Sequence, residues 1–445
     1  MSAGTSIPAA WEAVVRRARA RAAVIGLVDG GETSFHSLHQ LARDRAAALD
    51  AAPGRALALA LTNQPEWMAW FLAARMRGHC LIPLDPSQPV AAREATARRL
   101  GASWRVDAGG CTPLSRPVRP LRWKGKACLK LTSGTTGDPT PVPNEDRHLL
   151  ADGQQVAASM GLRSSDRNLA LIPLGHSYAL GNIVMPLILQ GMAMGVAPAF
   201  LPPQLAAWIA RHRLTVFPTV PAVLQALVAL PSATTLAGLR LVISAGAPLA
   251  PALAAAFHQK FGLIPHNFYG SSETGGICYD RSGRASLKGS STGTPLQGVT
   301  LALSGRGRVR VSSAAVAHPS GYFLLRDLGQ LRPDGSLLLL GRSGAVANIG
   351  GKKVAPREIE IILRSLVGVT DAACWVKAAH GRHYLVAAAE GSAPPQVLRR
   401  ELAERLPAWK IPRELHVLPA FPRTNRGKTD LNALQAALPP IPSMR

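Results

Sequence analysis

Leu239-Arg240-Leu241-Val242-Ile243-Ser244-Ala245-Gly246-Ala247-Pro248, followed by a helix-forming run from Ala250 to Phe261, sets the fold class. A short apolar strand meets a Ser/Gly/Pro turn and then a helix, and open α/β sheets place their ligands at that carboxyl end. Upstream, the same unit recurs at Leu214 to Phe217 followed by Val220 to Leu230. It recurs again at Ala56 to Leu61, where Thr62-Asn63-Gln64-Pro65 turns into a helix over Glu66 to Met76 and Leu81-Ile82-Pro83-Leu84 returns as a strand. Alternating strands and helices predict an α/β fold with mostly parallel sheets. Downstream, the texture changes around Gly341. A helix from Pro356 with Ile359, Ile361 and Ile362 precedes strands near Ala372 to Val376 and His383 to Ala389, then a helix with Leu398, Leu402 and Leu406. A boundary near Ser343 is expected, with a large N-terminal domain over 1–342 and a small α+β domain over 343–445.

The 445 residues carry 47% hydrophobic side chains, enough for a large core, and a formal charge of +24. Such a field attracts nucleotides, anionic surfaces, nucleic acid or an acidic protein. The basic residues are dispersed and form no stripe interleaved with aromatics, so dedicated nucleic-acid binding is the minor reading. Cys80, Cys111, Cys128, Cys278 and Cys374 are far apart, suggesting neither a zinc site nor a disulfide framework. Met1 to Ala23 contains arginines but no apolar core with a cleavage site, so a cytoplasmic location is expected. Between Arg167 and Arg211 no Asp, Glu, Lys or Arg occurs. Asn182, Gln190, Pro186 and several glycines interrupt that run, which favours buried strand and helix elements over a membrane span.

Four motifs carry candidate chemistry. Leu131-Thr132-Ser133-Gly134-Thr135-Thr136-Gly137-Asp138-Pro139 combines hydroxyls, exposed amides and glycines that can wrap a polyphosphate, although no Gly-Lys-Ser/Thr follows as in a Walker A loop. Tyr269-Gly270-Ser271-Ser272-Glu273-Thr274 offers an aromatic to stack on a base, a hydroxyl for a phosphate and a carboxylate for magnesium. Gly321-Tyr322 through Asp327-Leu328-Gly329 supplies a carboxylate for two ribose hydroxyls; Asp334-Gly335 then reads as a hairpin turn before Gly341-Arg342. Pro422-Arg423-Thr424-Asn425-Arg426-Gly427-Lys428-Thr429-Asp430 sets a lysine in a Gly-containing loop. Singly, each is compatible with an ordinary turn, hairpin or solvated loop.

In this order, and together with Asn63-Gln64-Pro65-Glu66 and Pro83-Leu84-Asp85-Pro86, the motifs resemble the adenylate-forming superfamily over nearly the whole chain. That superfamily includes acyl- and aryl-CoA ligases, firefly luciferase and the adenylation domains of nonribosomal peptide synthetases. The resemblance implies an ATP-dependent enzyme with magnesium that makes an acyl-adenylate and then a thioester on coenzyme A or phosphopantetheine. It assigns the β- and γ-phosphates to Thr132, Ser133, Gly134, Thr135, Thr136 and Gly137. Gly246, Ala247, Pro248, Tyr269 and Gly270 would frame adenine; Ser272 would meet the α-phosphate, Glu273 magnesium and Asp327 the ribose. Arg342 would reach the nucleotide, and Lys428 would bridge the substrate carboxylate and α-phosphate. Gly350-Gly351 resembles the segment lining the pantetheine tunnel after the small domain rotates.

The pattern departs in two places. Where the phosphate loop usually continues Pro-Lys-Gly, this chain has Pro139-Thr140-Pro141, removing a cation near the outer phosphates. The hinge position, commonly Asp or Lys, is Gly344, beside Ala345. Gly175-His176-Ser177-Tyr178-Ala179-Leu180-Gly181 occupies the acid-pocket segment, with His176, Ser177, Tyr178 and Gly270 as substrate contacts. Amino-acid-activating members usually hold the ammonium with an aspartate here, and this segment has none. The His-x-Tyr pattern resembles aryl-acid ligases, so an aryl acid leads, with a fatty or other acyl acid next. A stand-alone amino-acid adenylation domain and a degenerate nucleotide-binding member remain as alternatives. The positive charge suits an acidic acyl carrier protein as acceptor.

Overall fold

The computed structural model describes residues 6–49, 53–114, 122–132, 139–199, 201–342, 347–349, 352–354, 356–379, 382–424 and 429–438. Two sheets form the large part. In the nine-stranded sheet, Ala22–Gly26, Ala193–Val196, Arg167–Ala170, Val216–Thr219, Leu241–Ser244 and Pro265–Ser271 lie side by side as successive parallel neighbours. Antiparallel Glu32–Ser34 closes one edge, and Gly275–Tyr279 with Thr294–Pro295 closes the other. The six-stranded sheet has Trp104–Asp107, Ala56–Leu59, Cys80–Pro83 and Cys128–Thr132 in parallel, flanked by antiparallel Gly110–Pro113 and Thr140–Asn144. The expected α/β class is therefore realised.

The central strands are apolar on both faces, as parallel strands between helices must be. One continuous core, including Trp11, Trp67, Phe71, Leu149, Leu187 and Ile277, joins the helices between the two sheets. A second core around Trp208, Phe217 and Phe257 covers the other face of the larger sheet. The charge-poor run is broken into Arg167–Ala170, a short helix Ser177–Ala179, a π-helical turn Leu180–Val184, a helix Met185–Gln190 and the strand Ala193–Val196. Among the described residues, no helix is long and apolar enough to cross a membrane.

An antiparallel four-stranded sheet follows: Thr300–Leu303, Arg308–Ser312, Tyr322–Leu331 and Leu337–Arg342. Asp334 and Gly335 do form its last hairpin turn, with Gly335 at φ 77° and Ser336 N–H donating to Asp334. Beyond it, Pro356–Arg364 and Pro395–Arg405 pack on a sheet of Val369–Ala379, Arg382–Gly391 and Glu414–Leu418, with a core of its own around Ile359, Leu385, Leu398 and Leu402. Helices and strands expected here from the apolar spacing occur at those places. Elsewhere the boundaries move slightly: the strands expected at Leu214 to Phe217 and Leu239 to Ile243 run Val216–Thr219 and Leu241–Ser244. Their first apolar residues, Leu214 and Leu239, are core side chains in the preceding loops.

Candidate active site

The site lies at the carboxyl ends of the parallel strands. Thr219 and Ser244 are register partners at the ends of adjacent strands. Both are buried, and neither hydroxyl finds a hydrogen-bond partner among the described residues. Buried orphan hydroxyls are uncommon, and these two lie side by side at the strand ends, closed off from solvent. The turn Ala245-Gly246-Ala247-Pro248 begins directly above them, with Ala245 N–H bonded to the Thr219 carbonyl at 3.1 Å.

The neighbouring strand carries the aromatic and acidic motif. Tyr269 and Gly270 end Pro265–Ser271, where a register shift between them bends the ladder toward Gly275–Tyr279. A Cβ on Gly270 would come within 2.7 Å of the Gly275 carbonyl, so only glycine fits this bend. The Tyr269 hydroxyl donates to Asp327 Oδ2 at 2.6 Å, tying the aromatic to the carboxylate of the four-stranded sheet. Asp327 in turn lies opposite Arg342 in the backbone register. Glu273 is half-buried at the hairpin tip, its carbonyl accepting from Ala317 N–H at 3.2 Å. Among the described residues no cation pairs with its carboxylate, and no cluster of three or more His, Cys, Asp or Glu is arranged to hold a metal. A magnesium ion held by one carboxylate together with substrate phosphates fits such a donor set.

The acid-pocket segment meets this hairpin through Ser177 Oγ and Ser272 Oγ, 3.0 Å apart. His176 caps the short helix, its Nδ1 accepting from Tyr178 N–H at 3.3 Å. The Tyr178 hydroxyl donates to the Ile243 carbonyl at 3.0 Å, and its ring stacks on Phe268 at 5.5 Å. Burial pushes the Tyr178 phenol well above its ordinary range. Tyr178 is thus fixed in the core and is not a free donor. Thr132 ends its strand with its hydroxyl on the Thr140 carbonyl at 3.2 Å. Ser133, Gly134, Thr135, Thr136 and Gly137, the Arg342 side chain, Gly344, Ala345, Gly350, Gly351 and Lys428 lie outside the described residues.

The loop that carries Lys428 is nevertheless anchored at both ends. Arg423 and Thr429 bridge in antiparallel fashion. Arg423 donates to Glu390 Oε2 at 2.8 Å and to Asp371 Oδ2 at 3.2 Å, and Thr429 Oγ1 donates to the same Asp371 oxygen at 2.9 Å. Burial of Asp371 opposes its ionisation, but the Arg364 guanidinium and the hydrogen bonds of Arg364, Ala372 and Thr429 prevail and hold its carboxyl below the usual range. Gln225 of the large part donates to Glu390 Oε1 at 2.9 Å.

Sequence reasoning set Ser244 at the strand-end turn but gave no role to Thr219, nor to Lys130 and Asp152, a buried pair between the two sheets. Thr219 announces itself only as the polar end of an apolar strand. Lys130 and Asp152 leave a clearer trace. Lys130 is a lone charge inside Cys128-Leu129-Lys130-Leu131, and Asp152 falls on the buried stripe of its helix with Leu149, Val156 and Met160.

At the strand ends the structure thus joins the acid-pocket segment, the Tyr269–Glu273 motif and Asp327 through the Ser177–Ser272 and Tyr269–Asp327 hydrogen bonds. The sequence model of the family described as AMP-binding enzyme matches residues 11–111 and 109–311, and the chain belongs to that family of adenylate-forming enzymes. Among curated relatives, a sulfoacetate–CoA ligase of Cupriavidus necator is 27% identical over 342 residues, covering 70% of this chain and 67% of that one. A 2-succinylbenzoate–CoA ligase of Geobacillus kaustophilus is 28% identical over 345 residues, covering 70% and 69%. The crystal structure of an anthranilate CoA ligase in complex with anthranoyl-AMP superposes with a TM-score of 0.84 over 98% of both chains at 20% identity. These two curated relatives are, by name, acid–CoA ligases.

Proposed function

We propose that the chain activates an aryl carboxylic acid with ATP and passes the acyl group to the thiol of coenzyme A or of an acyl carrier protein. A carboxylate oxygen attacks the α-phosphorus, the bond to pyrophosphate breaks, and the adenylate's acyl carbon then goes to the thiol while AMP leaves. The reading is carried by two hydrogen bonds that unite three motifs: Ser177 with Ser272 at 3.0 Å and Tyr269 with Asp327 at 2.6 Å. These contacts support the reading because they link the segments to which it gives the acid, the α-phosphate and the ribose.

In this reading Thr132 and residues 133–137 take the outer phosphates. Gly246, Ala247, Pro248, Tyr269 and Gly270 frame adenine, and Arg342 and Asp327 hold the nucleotide. Ser272 orients the α-phosphate for in-line attack. Lys428 neutralises charge as it shifts from carboxylate to phosphate. Glu273 would hold magnesium, which would supply further positive charge where the pyrophosphate departs. His176 and Ser177 border the acid, and Tyr178 with Phe268 forms an aromatic wall suited to an aryl ring. An α-amino acid would need a free carboxylate for its ammonium. Asp152, the buried carboxylate next to Gly181, already faces Lys130, which disfavours that alternative. The +24 charge favours an acidic carrier protein as acceptor and is compatible with coenzyme A, itself an anion. We assign the reaction to the cytoplasm.

The test is carboxylate-dependent exchange of labelled pyrophosphate into ATP across benzoates, cinnamates, fatty acids and amino acids, with Lys428→Ala as control. Exchange with aryl acids, lost in the variant, is expected; coenzyme A and a phosphopantetheinylated carrier protein are then compared as acceptors. Silence across the panel despite ATP binding would transfer the chain to the nucleotide-binding, non-catalytic reading.

A further inference from the structure

Between the two sheets, Lys130 Nζ lies 3.6 Å from Asp152 Oδ2, with the side chains 1% and 3% exposed. The ammonium makes no hydrogen bond among the described residues. Such a pair adds little net stability, because desolvating two charges offsets their attraction, and an apolar pair of similar volume would serve the core as well. Its position suggests another use. Lys130 stands three residues before Ser133, on the strand that leads into the phosphate loop. Asp152 Oδ1 accepts the N–H of Gly276 at 2.8 Å, three residues past Glu273. A Cβ on Gly275 would come within 2.5 Å of Asp152 Oδ1, and one on Gly181 within 2.8 Å of Asp152 Oδ2. One carboxylate therefore touches the phosphate-loop strand, the Glu273 hairpin and the acid-pocket turn.

We propose that Lys130 and Asp152 are positioning residues that fix the spacing of these three segments, an inference that rests on the assignment of the segments given above. The charge on each partner is what holds the other in place: the carboxylate orients the Gly276 amide only while the ammonium draws it toward the phosphate-loop strand. Neither residue contacts substrate.

The experiment compares the parent chain with Lys130→Met, Asp152→Asn and the double variant, reading thermal unfolding, ATP dissociation and the kcat and KM of pyrophosphate exchange. Either single change leaves a buried group unmatched and should lower the unfolding temperature. The double variant has no lone charge and should regain it, yet its kcat/KM for ATP should remain depressed about a hundredfold, the cost of a misplacement near 1 Å, and the KM for the acid should rise with it, because the acid-pocket turn leans on the same carboxylate. Recovery of both stability and rate in the double variant overturns the proposal. If the double variant does not fold, Gly181→Ala is read instead, since its methyl displaces Asp152 without changing a charge; an unchanged kcat/KM for ATP there overturns it equally. If the parent exchanges with no acid, the functional reading has failed and the pin is judged on ATP dissociation alone: weaker binding in the double variant supports it and unaltered binding refutes it.

Discussion

Replacing Tyr269 by Phe removes one oxygen and leaves the ring. What is lost is the 2.6 Å hydrogen bond to Asp327, in which a neutral hydroxyl serves a charged acceptor. Bonds of that kind contribute about 1.5–3 kcal/mol, roughly twice the neutral kind. Asp327 is only half-buried, so water restores part of the loss and the lower end of that range applies. About 1.5 kcal/mol corresponds to roughly tenfold weaker ATP binding. If the bond acts by aiming Asp327 at the ribose, the loss must be specific to the sugar hydroxyls. The parent should discriminate against 2′-deoxy-ATP, and the Tyr269→Phe variant should discriminate much less. Calorimetric affinities for ATP and 2′-deoxy-ATP with both chains measure this directly. Unchanged preference for ATP over the deoxynucleotide in the variant would refute the role given to Asp327, even if overall affinity fell.

Two further outcomes follow from charge placement. His148 accepts the Glu145 N–H at 3.1 Å in the capping box of Asp146–Met160, the helix that bears Asp152, and burial first, then Arg147, lowers its pKa. Below about pH 6.5 the unfolded chain gains a proton that the folded one resists, so this stability is complete above that value and declines as pH falls toward the lowered folded value. Unfolding temperature should therefore drop more steeply on mild acidification in the parent than in His148→Gln, which keeps the acceptor but cannot titrate; identical slopes would remove the assignment. Arg423→Ala takes the guanidinium from Glu390, whose side chain is 1% exposed, and should cost about 3 kcal/mol by leaving a buried charge short of its partner. Calorimetry should show the C-terminal unit melting earlier, with adenylation reduced as in Lys428→Ala; a parent-like thermogram would show that the network does not anchor the loop.

Legibility followed the physics of each feature. Strands such as Ala56–Leu59 and helices such as Pro65–Met76 were readable because burial on both faces leaves uninterrupted apolar runs bounded by turn residues. The hairpin at Asp334-Gly335 was readable because a left-handed position narrows the choice of residue. Motif residues were readable by composition, but their mutual contacts were not: Ser177 and Ser272 are 95 positions apart, and nothing local in either segment encodes their meeting. Lys130 and Asp152 were each visible as misplaced charges, yet only the packing of helix on strand shows that one answers the other. The charge-poor run was ambiguous for a physical reason. Its apolar content suits a bilayer or a protein interior, and only the π-helical turn and the break at Gly191 show how it is cut into short pieces.

Among the described residues, burial raises the titration of several groups deep in the core. Cys128 and Cys278 are pushed up to about 12 by desolvation, and Tyr178 is raised by the same cause while its hydroxyl is spent on a backbone carbonyl. A search for strongly perturbed groups, which finds acid–base enzymes well, would therefore have pointed at inert thiols here. Adenylate formation explains why. No proton has to be moved at a tuned pKa; the carboxylate is already ionised and the barrier lies in the charge that gathers on phosphate. The groups suited to that task are fixed dipoles and permanent cations, which in the proposed reading are the Ser/Thr/Gly segment, Ser272 and Lys428. With Thr140 in place of the usual loop lysine, spacing carries more of the burden, because each remaining dipole must stand closer to its ideal place. That is the condition under which a buried pair of little net stability becomes worth keeping, and it is why the rate of the double variant, more than its stability, is the informative quantity.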